Sequence, residues 1–291
     1  MKPNDALLTT GGAQHLAVEG VRHGRAFAGS DWVADEVPVA LEFNGISHAV
    51  MLATPLDLED FALGFSLSEG LLASRDELYG VDEEPSVDGI TLKLEVSSAA
   101  FARLKDRRRS MAGRTGCGLC GAESLAQVTR PLPALPLPSR SPAGCGRVLR
   151  LQRAAVARAM IEMKAMQTLQ HATGAVHAAA WCTADGEVAL LREDVGRHNA
   201  LDKLIGALAR GRPVGLIDHE RGFFAVTSRA SFEMVQKTAV AGVPLLAAVS
   251  APTTLAVRTA ESAGLTLIGF ARDHDLVVYS HPERLAPITA D

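Results

Sequence analysis

The sequence predicts an α/β fold in which helices cover both faces of a sheet, preceded by a smaller α+β domain. Strand and helix patterns alternate through the second half of the chain, as they do in α/β proteins. Two runs there, residues 245–249 and 265–270, are mostly apolar and therefore typical of strands buried on both faces. Five prolines between residues 129 and 146 indicate a linker. We therefore predict domains at 31–146 and 147–291, after a disordered lead-in at 1–30.

The first half begins with a predicted hairpin. Residues 37–43 alternate in polarity, Asn44 and Gly45 form the pair that favours a type I′ turn, and residues 46–52 return. A helix is predicted over 57–69, where apolar residues recur at helical spacing, and Gly70 suits the position after its end. The remaining elements predicted in this half are a strand at 90–96 and a helix at 97–109.

The second half begins with a predicted long helix over 151–171, followed by Gly174 as its terminating glycine. The later elements follow from alternating or apolar runs separated by turn residues. They are hairpin strands at 177–182 and 188–191, a helix at 199–208, strands at 214–217 and 223–227, a helix at 232–241, a strand at 244–249, a helix at 254–263, and strands at 265–270 and 276–279.

Composition narrows the functional class. The chain has 291 residues and a formal net charge of −4, which argues against a nucleic-acid partner because such proteins usually carry a basic excess. It contains no apolar stretch of about eighteen residues, so we expect no membrane span. The first twenty residues lack the apolar run of a signal peptide. We therefore expect a cytoplasmic protein.

The segment 113–121 is the most distinctive motif. It places Cys117 and Cys120 among four glycines, a composition that disfavours both helix and strand interiors. The segment is therefore predicted to be a loop that presents two thiols. Arg114, three residues before Cys117, would favour the reactive thiolate.

Three chemistries remain open for this pair on the residues alone. A zinc site needs four ligands, and the chain has no second Cys-x-x-Cys pair and no His-Glu-x-x-His motif. The zinc deaminase signature is also absent. A thioredoxin-like pair would follow a strand and begin a helix, whereas this pair follows a predicted helix. The third alternative is a nucleophilic thiolate that carries sulfur.

Polar residues gather where predicted strands end and helices begin. The first such junction contains Asp194, Arg197 and His198, and the second contains Ser228 and Arg229. Residues 250–254 form a third. Because ligands bind at the carboxyl ends of strands in α/β sheets, these junctions predict a phosphate-bearing or nucleotide ligand along one edge. The competing interpretation is helix capping, with Asp194, Asn199 or Ser231 as N-caps.

Several long motifs closely resemble the FdhD family. The resemblance extends over about residues 37–285, and its motifs occur in the same order. They include RRRSMAGRTGCGLCGAESL at 107–125, EDVGRHNALDKLIG at 193–206, SRASFEMVQKTAVAGVPLLAAVSAPTTLAV at 228–257 and LIGFARD at 267–273.

The resemblance implies an accessory sulfurtransferase for formate dehydrogenase. Such a protein accepts persulfide sulfur from a cysteine desulfurase and passes it to the molybdenum cofactor, bis-molybdopterin guanine dinucleotide. It implies a cytidine-deaminase-like three-layer α/β domain, a homodimer, the formate dehydrogenase catalytic subunit as a partner, and no tightly bound metal. By the same resemblance Cys117 is the persulfide carrier and Cys120 the second thiol of the pair. The segment implied to contact the guanine dinucleotide is Phe270, Ala271, Arg272, Asp273, His274 and Asp275.

That last segment departs from the family pattern. Asp273 and Asp275 would repel phosphates, so backbone groups or Arg272 and His274 would have to dominate the contact. Two other functions stay open: a non-catalytic chaperone that binds the molybdenum cofactor, and a small zinc site at the cysteine pair.

Overall fold

The structure is a computed structural model that describes residues 11–111, 132–137, 149–211 and 222–287. In chain order, its strands and helices are β1 (Ala13–Arg22), β2 (Arg25–Ala34), β3 (Val37–Phe43), β4 (Ile46–Ala53), α1 (Leu58–Ser68), β5 (Leu78–Ser86), β6 (Gly89–Val96), α2 (Ser98–Met111), α3 (Arg153–Met166), α4 (Thr168–Thr173), β7 (His177–Thr183), β8 (Val188–Asp194), α5 (Arg197–Ala209), β9 (Gly222–Val226), α6 (Phe232–Val240), β10 (Leu245–Ala248), α7 (Thr254–Ala263), β11 (Thr266–Arg272) and β12 (Asp275–Ser280).

The second half is built on a six-stranded mixed sheet with strand order β12-β11-β10-β9-β7-β8. Strands β9, β10 and β11 are parallel, and β7 and β12 run against their neighbours. Side chains alternate between the two faces: Trp181 packs with α5, α6 and α7, whereas Cys182 packs with α3. The predicted α/β sheet with helices on its faces is therefore confirmed.

The first half contains a four-stranded sheet of order β4-β3-β6-β5. Helix α1 covers it, because Phe61 and Phe65 lie in the same core as Leu41 and Leu92. The predicted hairpin is confirmed, with Asn44 and the glycine after it both at positive φ. On its other side α1 packs against α5 of the second half, so one helix contributes to both halves.

Two glycines allow α1 and α5 to approach closely. A Cβ on Gly64 would overlap the carbonyl oxygen of Asp202, and a Cβ on Gly206 would overlap that of Asp60. Neither backbone oxygen can move away without shifting its helix. The close crossing of the two helices therefore requires glycine at both positions. The backbone φ angles do not require it.

We expect Gly206→Ala to lower the free energy of unfolding by about 1–3 kcal/mol, the usual cost of overpacking a well-packed interior. Urea denaturation of the full chain measures the change. Gly29→Ala is the matched control, because a Cβ there meets nothing within 4 Å. The close crossing would be contradicted if the two variants were equally stable.

The disordered lead-in predicted at 1–30 is wrong for residues 13–30. Strand β1 pairs with β2 in a ten-pair antiparallel ribbon, and Ala13 and Trp32 anchor its base against Leu169 and Val176. His23 and Gly24, both at positive φ, make the turn. The ribbon is mostly exposed, so its sequence lacks the apolar alternation by which strands are predicted. Residues 1–10 lie outside the described residues.

The single long helix predicted at 151–171 is also wrong, because it divides at Gln167 into α3 and α4. The backbone of Gln167 is not helical. The carboxylate of Glu193 accepts hydrogen bonds from the backbone N–H groups of Leu169 (3.0 Å) and Gln170 (2.9 Å), so it satisfies the start of the second helix. Because that carboxylate comes from a distant strand, local sequence gives no sign of the break.

Parts of the prediction fall outside the described residues, including the strand at 214–217 and the domain boundary at 146. A described part of the linker is packed rather than free. Leu135 is buried and donates its backbone N–H to Ala263 O at 2.9 Å. In the four described stretches of the chain, no helix is both long and apolar enough to cross a membrane.

Candidate functional site

One edge of the six-stranded sheet collects all the polar junctions described by the structure. The carboxyl ends of β8, β9, β10 and β11 lie there together, because these four strands run in the same direction. Backbone hydrogen bonds connect neighbouring junctions: Ser250 N–H donates to Ser228 O (3.4 Å), and Phe270 N–H donates to Ser250 O (3.4 Å). The predicted convergence of the junctions is confirmed, and we call this rim the ligand edge.

Asp194, at the end of β8, is fully buried and satisfied by protein groups. Its carboxylate accepts hydrogen bonds from the backbone N–H groups of Thr54 (3.0 Å) and Gly196 (2.7 Å) and from Asn199 Nδ2 (3.0 Å). Lys203 Nζ lies 2.6 Å away. The predicted N-cap role for Asp194 or Asn199 is wrong, since Gly196 is the N-cap of α5. In this arrangement Asp194 positions the start of α5 and has no free face for a ligand.

Arg197 and His198 follow at the first turn of α5 and are only partly buried. His198 Nε2 lies 2.9 Å from Glu233 Oε2 at the first turn of α6, so the two helix starts are neighbours. Arg197 Nε is buried without a hydrogen-bond partner in the part of the chain that the structure describes. Burial, together with the charges of Arg197 and His198, lowers the pKa of His177 at the start of β7. This end of the ligand edge therefore presents the guanidinium of Arg197 beside the contact between His198 and Glu233.

Ser228 and Arg229 differ in accessibility. Ser228 is 5% exposed, and its hydroxyl donates to Arg229 O at 3.0 Å, so its side chain is committed to the loop. Arg229 is exposed and forms no ion pair with any described residue. Ser231 is the N-cap of α6, as the capping interpretation predicts. Its side chain makes no capping hydrogen bond, however. Thr253, by contrast, caps α7 through Ala256 N–H at 3.3 Å.

The segment 270–275 comprises the end of β11, the turn at Asp273 and His274, and the first residue of β12, at the same edge. Phe270 is 42% exposed and has a φ of 50°, which is rare for a residue other than glycine. Ala271 is buried, and Arg272 Nε donates to Val249 O at 2.9 Å. Asp273, His274 and Asp275 are exposed at the tip. The accessible features of this turn are therefore one aromatic face and a mixed-charge tip.

The cysteines divide into two groups. Cys117, Cys120 and Cys145 lie outside the described residues. Cys182 is fully buried in β7, and burial raises the pKa of its thiol. It is therefore unsuitable as a nucleophile. Over residues 11–111, 132–137, 149–211 and 222–287, no group of three or more His, Cys, Asp or Glu side chains is arranged to hold a metal ion.

A cavity of about 600 Å³ lies away from this chemistry. Its walls include Arg153 at the start of α3 and Pro282 and Leu285 after β12. Because Leu285 follows β12, which ends beside the start of β11, the cavity lies at the amino edge of the sheet. It contains none of the predicted site residues.

Sequence reasoning did not place three residues at the ligand edge: His177, Lys203 and Glu233. The pattern around His177 predicts only the start of a strand. The signal for Lys203 was present, because a lysine inside a predominantly apolar helix needs an internal partner. Nothing in the local sequence identified that partner as Asp194, nine residues earlier across a strand–helix turn.

Comparison with known proteins shows the family of the chain. Residues 34–286 match the profile of the FdhD/NarQ family. Two similar curated relatives are both named sulfur carrier protein FdhD. The one from Variovorax paradoxus is 65% identical over 291 residues, all of both chains. The one from Cupriavidus necator is 57% identical over 270 residues, covering 93% of this chain and 89% of the relative.

A solved structure is similar in fold. It is a crystal structure from Desulfotalea psychrophila, described as a candidate formate dehydrogenase accessory protein. It superposes with a TM-score of 0.69 at 22% identity, covering 94% of this chain and 99% of that one.

Proposed function

Because the chain belongs to the FdhD/NarQ family, we propose that it is a sulfur carrier for formate dehydrogenase. It accepts persulfide sulfur from a cysteine desulfurase and transfers it to the molybdenum cofactor, bis-molybdopterin guanine dinucleotide. The observation that carries the proposal is the match along the whole chain to a relative named sulfur carrier protein FdhD. The same proposal includes a cytidine-deaminase-like fold for the second half of the chain. It also includes a homodimer that acts in the cytoplasm.

We assign the sulfur step to Cys117, which the family resemblance implies is the persulfide carrier. Cys182 is buried in the core and is unsuitable as the nucleophile. The Cys117 thiolate attacks the outer sulfur of the donor persulfide. A new S–S bond forms on Cys117, the S–S bond of the donor breaks, and the donor cysteine leaves as a thiolate. Cys120 lies three residues away and is proposed to assist transfer or release.

The ligand edge supports the proposed binding of the molybdenum cofactor. A guanine dinucleotide carries a pyrophosphate, and oxyanions bind to cationic side chains and to the N-termini of helices. The edge offers Arg197, His198 and Arg229 beside the starts of α5 and α6. The exposed ring of Phe270 lies on the same edge and could stack on a planar base. These residues would hold the cofactor as cargo while Cys117 delivers sulfur.

The alternative is a chaperone that only binds the cofactor, and the ligand edge alone is compatible with it. The two functions differ in whether the protein itself gains a sulfur atom. Purified protein is incubated with a cysteine desulfurase and L-cysteine, and its intact mass is measured. The sulfur carrier gains one reducible sulfur atom per chain. A chain that stays unmodified would leave the chaperone as the better conclusion.

Binding at the ligand edge gives a separate prediction. We expect Arg229→Gln to weaken the affinity for guanosine diphosphate about tenfold or more, since a charge-assisted hydrogen bond contributes roughly 1.5–3 kcal/mol. Isothermal titration calorimetry measures the affinity. Arg258→Gln, which removes an exposed arginine in α7, is the matched control and should bind as the parent does. Equal losses in both variants would point to overall charge rather than to this edge.

A further inference from the structure

One acidic side chain of the ligand edge lies between the starts of α5 and α6, directly against a basic residue. Glu233, in the first turn of α6, places its carboxylate 2.9 Å from His198 Nε2. We propose that Glu233 is an exchangeable counter-ion, which balances the charge of Arg197 in the free protein and yields its place to a ligand oxyanion. The inference rests on the proposed function, because it requires a phosphate-bearing ligand at this edge.

The charges around Glu233 favour its ionised form. The contact with His198 is the largest influence, and the charges of His198, Arg197 and Lys237 add to it. Together they outweigh burial and lower the pKa of Glu233. The side chain is therefore a carboxylate at neutral pH. It occupies the position at which an oxyanion would find these cations.

A second ion pair between the same helices provides the contrast. One turn further along, Lys237 lies 3.0 Å from Asp202 and also contacts Ser68 and Glu69. Asp202 and Lys237 are 0% and 7% exposed, so this inner pair is enclosed and permanent. Because Lys237 is committed to these partners, it leaves the guanidinium of Arg197 and the imidazole of His198 as the groups that a ligand can share with Glu233.

The outer pair, His198 and Glu233, has the opposite character. Its side chains are 27% and 54% exposed, and exposed ion pairs are weak because water screens them. His198 Nε2 also makes no hydrogen bond of normal geometry to any described residue, so the pair is close but poorly aligned. The contact is therefore weak, and a ligand that displaces Glu233 must supply a partner in its place, because the Nε2 atom itself is buried.

The cations gain better partners when Glu233 leaves. Arg197 Nε has no hydrogen-bond partner among the described residues. Neither N-cap, Gly196 of α5 nor Ser231 of α6, supplies a side-chain acceptor to its helix. A phosphate offers several oxygens to these donors at once. Glu233 thus makes binding selective for charged ligands. A ligand with phosphate groups displaces its carboxylate, whereas a neutral ligand gains no interaction by displacing it.

The test compares the parent with Glu233→Gln and with a matched control, Glu261→Gln. The control removes the same charge from an exposed residue near the distant end of α7. Calorimetric titrations use guanosine diphosphate and the uncharged nucleoside guanosine as probes. We expect Glu233→Gln to bind the diphosphate about three- to tenfold more tightly, because a competing ion pair and a like-charge repulsion are both removed. Guanosine affinity and the control variant should not change.

Each outcome decides between the two proposals. If the diphosphate binds the parent and Glu233→Gln equally, or binds the variant more weakly, the counter-ion is overturned while the ligand edge stands. If it binds none of the proteins, the ligand edge fails as well. Glu233→Ala, which removes the carboxylate without leaving an amide to bond His198, should shift affinity in the same direction. Thermal denaturation confirms that each variant is folded.

Discussion

Cys117→Ala is expected to abolish the gain of sulfur when the protein is incubated with a cysteine desulfurase and L-cysteine. No thiolate remains at the proposed carrier position, so the S–S bond that would store the transferred atom cannot form. Intact mass spectrometry before and after treatment with a reductant measures the bound sulfur. In cells that lack the native protein, the same variant should leave formate dehydrogenase inactive.

Cys182→Ala is the control for this experiment. It also removes a thiol, but one that is buried and has a raised pKa, so loading should continue at the parent level. Cys120→Ala reports whether the second thiol is needed. The assignment is wrong if Cys117→Ala gains sulfur at the parent yield. Restoration of active dehydrogenase by the Cys117→Ala, Cys120→Ala double variant would instead support the cofactor-binding chaperone.

Lys203→Met should reduce the free energy of unfolding by about 3–5 kcal/mol, the range for removing one partner of a buried ion pair. Lys203 and Asp194 are both 0% exposed and lie 2.6 Å apart. Methionine has nearly the length of lysine, so the loss arises chiefly from the uncompensated charge on Asp194. Lys203 Nζ also donates to Thr54 O at 2.8 Å, and that bond is lost too. Denaturant titration of the full chain measures the change.

The double variant Lys203→Met, Asp194→Asn separates charge from packing. Neutralising Asp194 should recover part of the loss, because the amide can still accept from the backbone without leaving a bare charge. Lys164→Met, at an exposed site in α3, should change stability by no more than about 0.5 kcal/mol. If Lys203→Met is as stable as this control, the buried pair does not stabilise the fold as argued.

Local signals predicted most of the elements. The Asn44–Gly45 pair specified the first hairpin, and helix α7 begins and ends at the residues expected. The ligand edge could be anticipated because polar residues follow several strands that run in the same direction. In each case the decisive information lies within a few residues of the element.

What could not be predicted depends on partners outside the segment itself. Strand β5 is polar and contains Pro85, so only its pairing with β6 makes it a strand. The break at Gln167 is stabilised by Glu193, which arrives from β8. Asp194 was expected to contact a ligand. Its contacts with Lys203 and Thr54 give it a structural role instead. Pairing and packing decide these cases, and the composition of each segment by itself does not reveal them.

Helix α1 has a consequence for how this protein can evolve. Phe61 and Phe65 belong to the core of the first half, Leu67 packs against the cores of both halves, and Gly64 fits only against α5. If a gene rearrangement replaced one half, α1 or α5 would remain without the helix against which its surface packs. Recombination is therefore expected to move the two halves together. Substitutions on α1 and α5 should accumulate as compensating pairs across the family's lineages.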